Sequence, residues 1–376
     1  METIQFLPIS QWGIGVEERP FVIAGPCSAE SEKQVLTIAH QLHSQGIRAY
    51  RAGIWKPRTH PNGFEGVGEK GLSWLKKVKQ ETGMLVATEV ANQRHAYEAL
   101  KHGVDILWIG ARTTANPFAM QEIANTIAGA DIMIFVKNPV NPDLELWIGA
   151  IERIHQAGIS RLGAIHRGFS TFDKSTYRNN PLWQIPIELK RRMATLPLLV
   201  DPSHICGNRE LKRVTQKAMD LNYDGIIIEV HHDPDRALSD AQQQITPESL
   251  NELLSMLKLR NVSIADEEVV HSLETLRLKI NKYDEELLDI LEQRMAVAET
   301  IGLYKKQNNI TILQPSRWDE IITRIRQKGA ERKLSNDLID HIFNAIHQES
   351  INKQMAVMNN GLTLPATNKN ESDDHH

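Results

Sequence analysis

The sequence predicts an α/β chain: a (β/α)8 TIM barrel followed by a C-terminal all-α unit of three helices. Three observations lead there. Eight apolar, strand-like runs fall within the first 230 residues, helix-period stretches separate them, and from Asp266 onward the pattern is wholly helical. Barrel chemistry gathers on the loops that follow the strands, so the end of each run is where functional side chains are expected.

The first run, PFVIAGPC, ends at Cys27 and is followed by the helix-period stretch SEKQVLTIAHQLHSQG. The second, IRAYRAGIWKPR, carries Arg51, Lys56 and Arg58 and leads into EGVGEKGLSWLKKVKQETG. MLVATEV brings Glu89, VDILWIGAR brings Arg112, and DIMIFVK brings Lys137. RLGAIHR supplies His166 and Arg167, LPLLVDPSH supplies Asp201 and His204, and GIIIEVHH supplies Glu229. The loop and amphipathic helix of SDAQQQITPESLNELLSMLKLR close the repeat, which assigns residues 1–260 to the barrel and leaves 261–265 as a polar linker. The helical unit covers 266–358. Its first stretch, VVHSLETLRLKINKYDEELLDILEQRMAVAETIGLYKK, lacks proline and repeats apolar positions at three and four. At about 1.5 Å per residue, its roughly 40 residues would reach about 60 Å. Helical stretches over about 316–328 and 335–358 complete the unit, and the polar, aperiodic residues 359–376 are expected to be disordered.

A chain of 376 residues exceeds the roughly 250 of one barrel by the size of a small domain. With 41% hydrophobic and 24% charged residues it has the composition of a globular protein. No apolar run approaches the roughly 20 residues of a membrane span, and METIQFLPISQWGIG lacks the basic and then apolar pattern of a signal peptide. Cytoplasm is therefore the expected compartment. Two cysteines make no disulfide framework, which leaves Cys27 available to a metal or as a nucleophile, with Cys206 a bystander. A net charge of −4 gives no field to attract nucleic acid, so neither nucleic acid nor membrane is an expected partner. The chain has no GxxxxGK[ST] loop and no well-placed GxGxxG, so nucleotide binding has no support.

Two constellations share the predicted mouth. Cys27, His204, Glu229 and Asp240 form a mixed soft and hard ligand set, suited to Mn, Fe, Co or Zn with a position left for substrate. Singly, each is more often structural or solvated; together on one face they are a candidate metal site. Arg51, Lys56, Arg58, Arg112, Lys137 and Arg167 lie at or just after strand ends. Gathered at one mouth they would repel each other unless an anion neutralised them, so the substrate should carry phosphate and carboxylate groups.

The segments GPCS at 25–28, RAGIWKPRT at 51–59, GARTT at 110–114, VKNP at 136–139, HRGF at 166–169, DPSH at 201–204, and IEVH and LSDAQQ around Glu229 and Asp240 resemble type I beta 3-deoxy-D-arabino-heptulosonate 7-phosphate (DAHP) synthases, across nearly all of residues 1–260. The resemblance implies condensation of phosphoenolpyruvate with erythrose 4-phosphate. It places phosphoenolpyruvate on Arg112, Lys137 and Arg167, with Arg51 and Lys56 alongside, and gives the phosphate of erythrose 4-phosphate to Arg58 and Thr59. Lys56, Lys137 and His204 would stand at the catalytic centre, and the metal would polarise the aldehyde. The neighbouring 3-deoxy-octulosonate phosphate synthases use arabinose 5-phosphate and differ where KPRT stands here. His60 and His232 depart from the expected pattern without touching a ligand position.

Residues from about 264 to 357 resemble the all-α chorismate mutases, with LETLRLKINKYDEELLDILEQR matching their first long helix. The resemblance implies a site of Arg277, Arg294, Lys305, Arg317 and Gln354: the first two arginines on the substrate carboxylates, Lys305 and Gln354 on the ether oxygen. Helix geometry adds a constraint. Arg294 and Lys305 share a face about 16 Å apart, whereas Arg277 lies about 25 Å from Arg294 and a quarter turn away, out of reach of the same small ligand. A homodimer with shared sites follows. Gln314 and Trp318 stand where relatives often carry Asp and Glu, which implies altered affinity for chorismate. The full expectation is a bifunctional enzyme of aromatic amino-acid biosynthesis, inhibited by prephenate or chorismate held in the helical domain. The competing expectations are a helical module that only dimerises and senses, and a noncatalytic metabolite sensor on a barrel scaffold.

Overall fold

A strand covered on one face by helices and on the other by the opposite wall of a barrel has no polar side, and that is the composition of all eight runs. The computed structural model describes residues 4–15, 18–56, 63–172, 176–260, 266–313 and 315–359, with the side chains of 315–317 outside the description. The expected linker 261–265 and tail residues from 360 onward also lie outside it. The strands are β1 (Phe21–Gly25), β2 (Ala49–Arg51), β3 (Leu85–Val90), β4 (Ile106–Ile109), β5 (Met133–Lys137), β6 (Leu162–His166), β7 (Leu198–Val200) and β8 (Gly225–Glu229). They pair in parallel and in sequence order, and β8 closes on β1 with Phe21 opposite Gly225 and Gly25 opposite Glu229.

Strand alternation divides the apolar side chains into two cores. Ile23, Ala49, Ala87, Ile106, Met133, Phe135, Ile165, Leu199 and Ile227 fill the barrel interior, and the larger cluster lies between strands and helices. Gly163 makes room inside: a Cβ there would stand 2.6 Å from the Phe135 ring. A short helical turn, Ile9–Gln11, places Ile9 and Trp12 under the strand N-termini, and Trp12 packs on Phe135 with ring centroids 5.4 Å apart. Polar side chains are thereby confined to the opposite, C-terminal end.

The chain forms two compact units, residues 1–262 and 263–376. In the second, Asp266 accepts hydrogen bonds from the backbone N–H groups of Glu268 and Val269 and so caps a 41-residue helix, Glu267–Gln307. Helices Pro315–Glu331 and Asn336–Asn359 follow. The long helix packs its C-terminal half on the third helix, with Ala298 and Gly302 buried. A Cβ at Gly302 would meet Gln354 Cα at 3.0 Å, so glycine permits this approach. Residues 267–290 are exposed except Leu273, which is half-buried. No helix among the described residues is long and apolar enough to cross a membrane.

His166, one of the strand-end candidates, is turned away from the barrel mouth. Ile165 takes the inward position on β6, so parity sends His166 into the helix layer beside Phe169, Trp183 and Tyr223. Its Nε2–H donates to the Pro181 carbonyl at 2.7 Å and its Nδ1 accepts from the Tyr223 hydroxyl at 3.0 Å, a neutral tautomer with both nitrogens satisfied. Burial pushes its pKa down to about 4. An unfolded histidine at about 6.5 binds its proton more readily, so this stabilisation is complete above pH 6.5 and is lost as pH falls toward 4. The loss amounts to up to about 3 kcal/mol. Thermal unfolding of the barrel between pH 7 and 5 should therefore show a steeper fall of Tm for the native chain than for His166→Gln; equal slopes would contradict the assignment.

Candidate functional site

The last inward positions of the strands are polar. Arg51, Glu89, Trp108, Lys137 and Glu229 end β2, β3, β4, β5 and β8 or lie one residue from the end, and Asp201 follows β7 directly. Each charge has an opposite partner in this buried layer. Arg51 Nη2 lies 3.1 Å from Glu229 Oε1, with side chains 1% and 0% exposed. Lys137 Nζ lies 2.9 Å from Asp201 Oδ2, also buried. Trp108 donates its indole N–H to Glu89 Oε2 at 2.7 Å, and its ring faces the Arg51 guanidinium at 4.8 Å and Lys137 Nζ at 5.8 Å.

These pairings set protonation states. Burial would raise the Glu89 pKa, yet Lys137, Lys56 and the Trp108 hydrogen bond hold it below the usual carboxylate value. Asp201 is held well below its usual value by His204 and Lys137 against the effect of burial. His204 is pushed down by burial despite Asp201. Its Nδ1 stands 2.8 Å from Asp201 Oδ2, which offsets the effect of burial only in part. Among the described residues, Arg51 Nε and Nη1 and Glu229 Oε2 are buried without hydrogen-bond partners. Such groups are costly unless something else meets them.

The four metal-ligand candidates occupy this same end. Cys27 lies just beyond β1, His204 in the short helix Pro202–Cys206 after β7, Glu229 ends β8, and Asp240 is in the following loop. Cys27 Sγ donates to Asp240 Oδ2 at 3.3 Å, and Lys56 Nζ donates to the same sulfur at 3.0 Å. Burial, then Glu229, pushes the Cys27 pKa up to about 12. Burial would lower the Lys56 pKa, but Cys27, Glu229 and Glu89 carry it upward. Cys27 and Asp240 are thus in contact and Glu229 belongs to their charge cluster. Among the described residues, however, no three His, Cys, Asp or Glu side chains are drawn together tightly enough to hold an ion.

The cationic candidates are distributed between floor and rim. Arg51 and Lys137 form the floor, and Lys56 is half-buried. Arg167 is fixed by its Nη1–H to Asn179 Oδ1 at 2.8 Å and its backbone N–H to Asn138 Oδ1 at 2.7 Å. Arg112 is exposed on the short helix Ala111–Thr114. Arg58 and Thr59 lie outside the described residues. Glu89 and Asp201 were legible as strand-end residues but acquired no role from sequence; the partners that give them one come from other strands.

In the helical unit, Arg294 donates to Ser350 Oγ at 2.5 Å and Lys305 to the Ile312 carbonyl at 2.6 Å. Gln354 Nε2 donates to the Ser350 carbonyl at 3.2 Å, leaving its buried Oε1 without a partner among the described residues. Arg277 is exposed on the N-terminal half of the long helix. Trp318 stacks on His347, with centroids 3.9 Å apart and planes at 17°. Gln314 and the Arg317 side chain lie outside the description.

The sequence profile of the DAHP synthetase I family matches residues 5–265. The chain belongs to this family. A second profile, chorismate mutase type II, matches residues 276–355, so the DAHP synthetase domain is joined to a mutase domain. Phospho-2-dehydro-3-deoxyheptonate aldolase of Thermotoga maritima is 34% identical over 238 residues, covering 63% of this chain and 68% of the relative. A crystal structure of the Thermotoga DAHP synthase aligns with a TM-score of 0.56 at 32% identity over 62% of this chain; the chain spans 66% of that protein's length. The 2-dehydro-3-deoxyphosphooctonate aldolase of Legionella pneumophila strain Corby is 27% identical over 269 residues, covering 65% of this chain and 92% of the relative.

The Lys137–Asp201 pair gives a stability test. Removing one partner of a buried pair costs about 3–5 kcal/mol, because the other charge is left unpaired. Asp201→Asn and Lys137→Met should each lower the unfolding free energy, and the double variant should cost at least about 1 kcal/mol less than the two losses added together. Strict additivity in denaturant unfolding would show that the pair is not coupled.

Proposed function

We propose that the barrel condenses phosphoenolpyruvate with erythrose 4-phosphate and water to give DAHP and phosphate, with a divalent metal, and that the helical unit converts chorismate to prephenate. The observation that carries the first half is the buried Arg51–Glu229 pair, whose remaining nitrogens and oxygen lack hydrogen-bond partners among the described residues, in a member of the DAHP synthetase I family. The donor chemistry of Cys27, His204, Glu229 and Asp240 fits Mn, Fe, Co or Zn, and Glu229 Oε2 accepts no hydrogen bond among the described residues. A bound ion would supply Lewis acidity toward the aldehyde oxygen.

The side chains divide the remaining work. Arg112, Lys137 and Arg167, with Arg51 and Lys56, hold the phosphoenolpyruvate anion, and Arg58 and Thr59 hold the aldehyde's phosphate. The enol carbon of phosphoenolpyruvate attacks the aldehyde carbon, whose oxygen becomes a hydroxyl with the proton that the adding water releases. Water adds at the second carbon of phosphoenolpyruvate, the bond from that carbon to the phosphate oxygen breaks, and phosphate leaves with the remaining hydroxyl proton as the cations stabilise the developing charge. Glu89, kept ionised by Lys137 and Lys56, takes the proton of the adding water. A cytoplasmic location accords with this reading.

Phosphate release from phosphoenolpyruvate and erythrose 4-phosphate should require added Mn after exhaustive chelation. Full activity without metal would remove the metal assignment. The Legionella relative supports a second reading, in which arabinose 5-phosphate is the acceptor. Turnover of arabinose 5-phosphate and none of erythrose 4-phosphate would establish that reading instead.

The mutase proposal rests on the chorismate mutase type II match and on Arg294, Lys305 and the unpartnered Gln354 oxygen, with Arg277 and Arg317 completing the site. Leu273, Leu276, Ile280, Tyr283, Leu287 and Ile290 recur at three and four along the exposed half of the long helix. Leu276 is 53% and Ile280 58% exposed, a stripe suited to a second copy of this chain. In such a dimer Arg277 would serve the partner's site. Arg277→Ala and Arg294→Ala should each abolish rearrangement while sparing condensation, and subunit exchange between them should restore up to about a quarter of native mutase activity. No recovery in a demonstrated heterodimer would overturn the shared site. Trp318, stacked on His347, leaves this position without a carboxylate, which accords with altered chorismate affinity. Because prephenate lies downstream of DAHP, its binding to the helical unit is also proposed to inhibit the barrel through linkage between the two sites; an unchanged synthase rate at saturating prephenate would remove this.

A further inference from the structure

The loop after β8 turns back on itself and brings one amide under two of the four ligand candidates. Asp240 stands in the left-handed region at φ 48°, and Gln243 N–H donates to the Asp240 carbonyl at 2.9 Å. The chain then rejoins the end of β8: Ile245 N–H donates to the Glu229 carbonyl at 3.1 Å, and His231 N–H donates to the Ile245 carbonyl at 2.9 Å. Ile245 thereby pairs in parallel with Val230. Gln244, held by this extra rung, is 1% exposed. Its Oε1 accepts the Cys27 backbone N–H at 2.9 Å, and its Nε2 donates to the Ser239 carbonyl at 2.9 Å. Ser239 and Ser28 hydroxyls bond to each other alongside, and Glu30 Oε1 accepts the Leu238 N–H at 2.8 Å.

Both ends of the Gln244 amide are therefore used, one on the loop that carries Cys27 and one on the residue before Asp240. Across this seam Cys27 Sγ and Asp240 Oδ2 are 3.3 Å apart, and Asp240 Oδ1 is turned toward Arg178 Nη2 at 3.2 Å. Left-handed backbone at a non-glycine residue is strained and persists only when its surroundings fix it. The Gln244 seam is what fixes it here.

We propose that Gln244 is a positioning residue for the metal site: it touches no substrate, but sets the separation and direction of the Cys27 thiolate and the Asp240 carboxylate. The proposal rests on the metal reading above. The test is Co(II) titration of the purified full-length chain, followed by the sulfur-to-cobalt charge-transfer absorption, for the native protein, Gln244→Leu and Gln244→Glu. Loss of an outer-sphere partner typically weakens metal affinity about 10–100-fold. Gln244→Leu, which loses both hydrogen bonds, should weaken Co(II) binding by about that factor and diminish the sulfur band at saturation. Gln244→Glu keeps the acceptor for Cys27 N–H and should retain more of the band than Gln244→Leu. Mutase activity should be unchanged in both, and cooperative thermal unfolding of the barrel in each variant serves as the check that it is folded. Native affinity and a native band in folded Gln244→Leu would overturn the positioning role. Cobalt binding by the native chain without any sulfur band would instead overturn the metal reading itself, and this proposal with it.

Discussion

Charge buried at the end of an otherwise apolar barrel is the constraint on which the rest depends. The interior below is filled by Ile23, Met133, Phe135, Ile165 and Ile227 and plugged by Trp12, so a charge in the layer above has neither water beneath it nor a polar wall. It is stable only with a partner at short range. Arg51 has Glu229, Lys137 has Asp201, and Glu89 has Trp108 with two lysines nearby. Each partner comes from a different strand, so closing the barrel and completing the charge layer are one event.

The pairing is incomplete in a directed way. Among the described residues Arg51 keeps two nitrogens and Glu229 one oxygen without partners, and the pKa of the Cys27 thiol is raised to about 12 by burial and neighbouring carboxylates. A layer of this kind favours anions on its cationic side and a cation on its carboxylate and thiol side. Both ligand classes proposed for the barrel answer that division. The helical unit shows a simpler version of it, in which two cations and an amide oxygen without a partner among the described residues sit between helices, and no nucleophile is needed.

Much of this was legible in sequence because the signals were local. Strand runs, separating helices and the proline-free helix of the second unit follow from short-range periodicity, and Cys27, Lys137, His204 and Glu229 fall at strand ends where a barrel exposes chemistry. What escaped depends on parity and on long-range partners. His166 stands at a strand end like the others, yet Ile165 takes the inward face and leaves it between Tyr223 and Pro181. Asp201 gains its meaning from Lys137, 64 positions earlier, and Gln244 from Cys27, 217 positions earlier. No window of sequence contains either pair. Asp240 in a left-handed conformation was likewise not signalled, since glycine is the usual residue there.

The proposed barrel chemistry requires one ion to join Cys27, His204, Glu229 and Asp240 beside the cationic floor. Anomalous diffraction at the manganese edge, from crystals of the full chain grown with Mn and phosphoenolpyruvate, measures this directly. One strong peak is expected at about 2.0–2.5 Å from Cys27 Sγ, His204 Nε2 and an oxygen of each carboxylate, with Lys56 Nζ displaced from the sulfur. A peak elsewhere, or one at this mouth that leaves Cys27 bonded to Lys56, would contradict it.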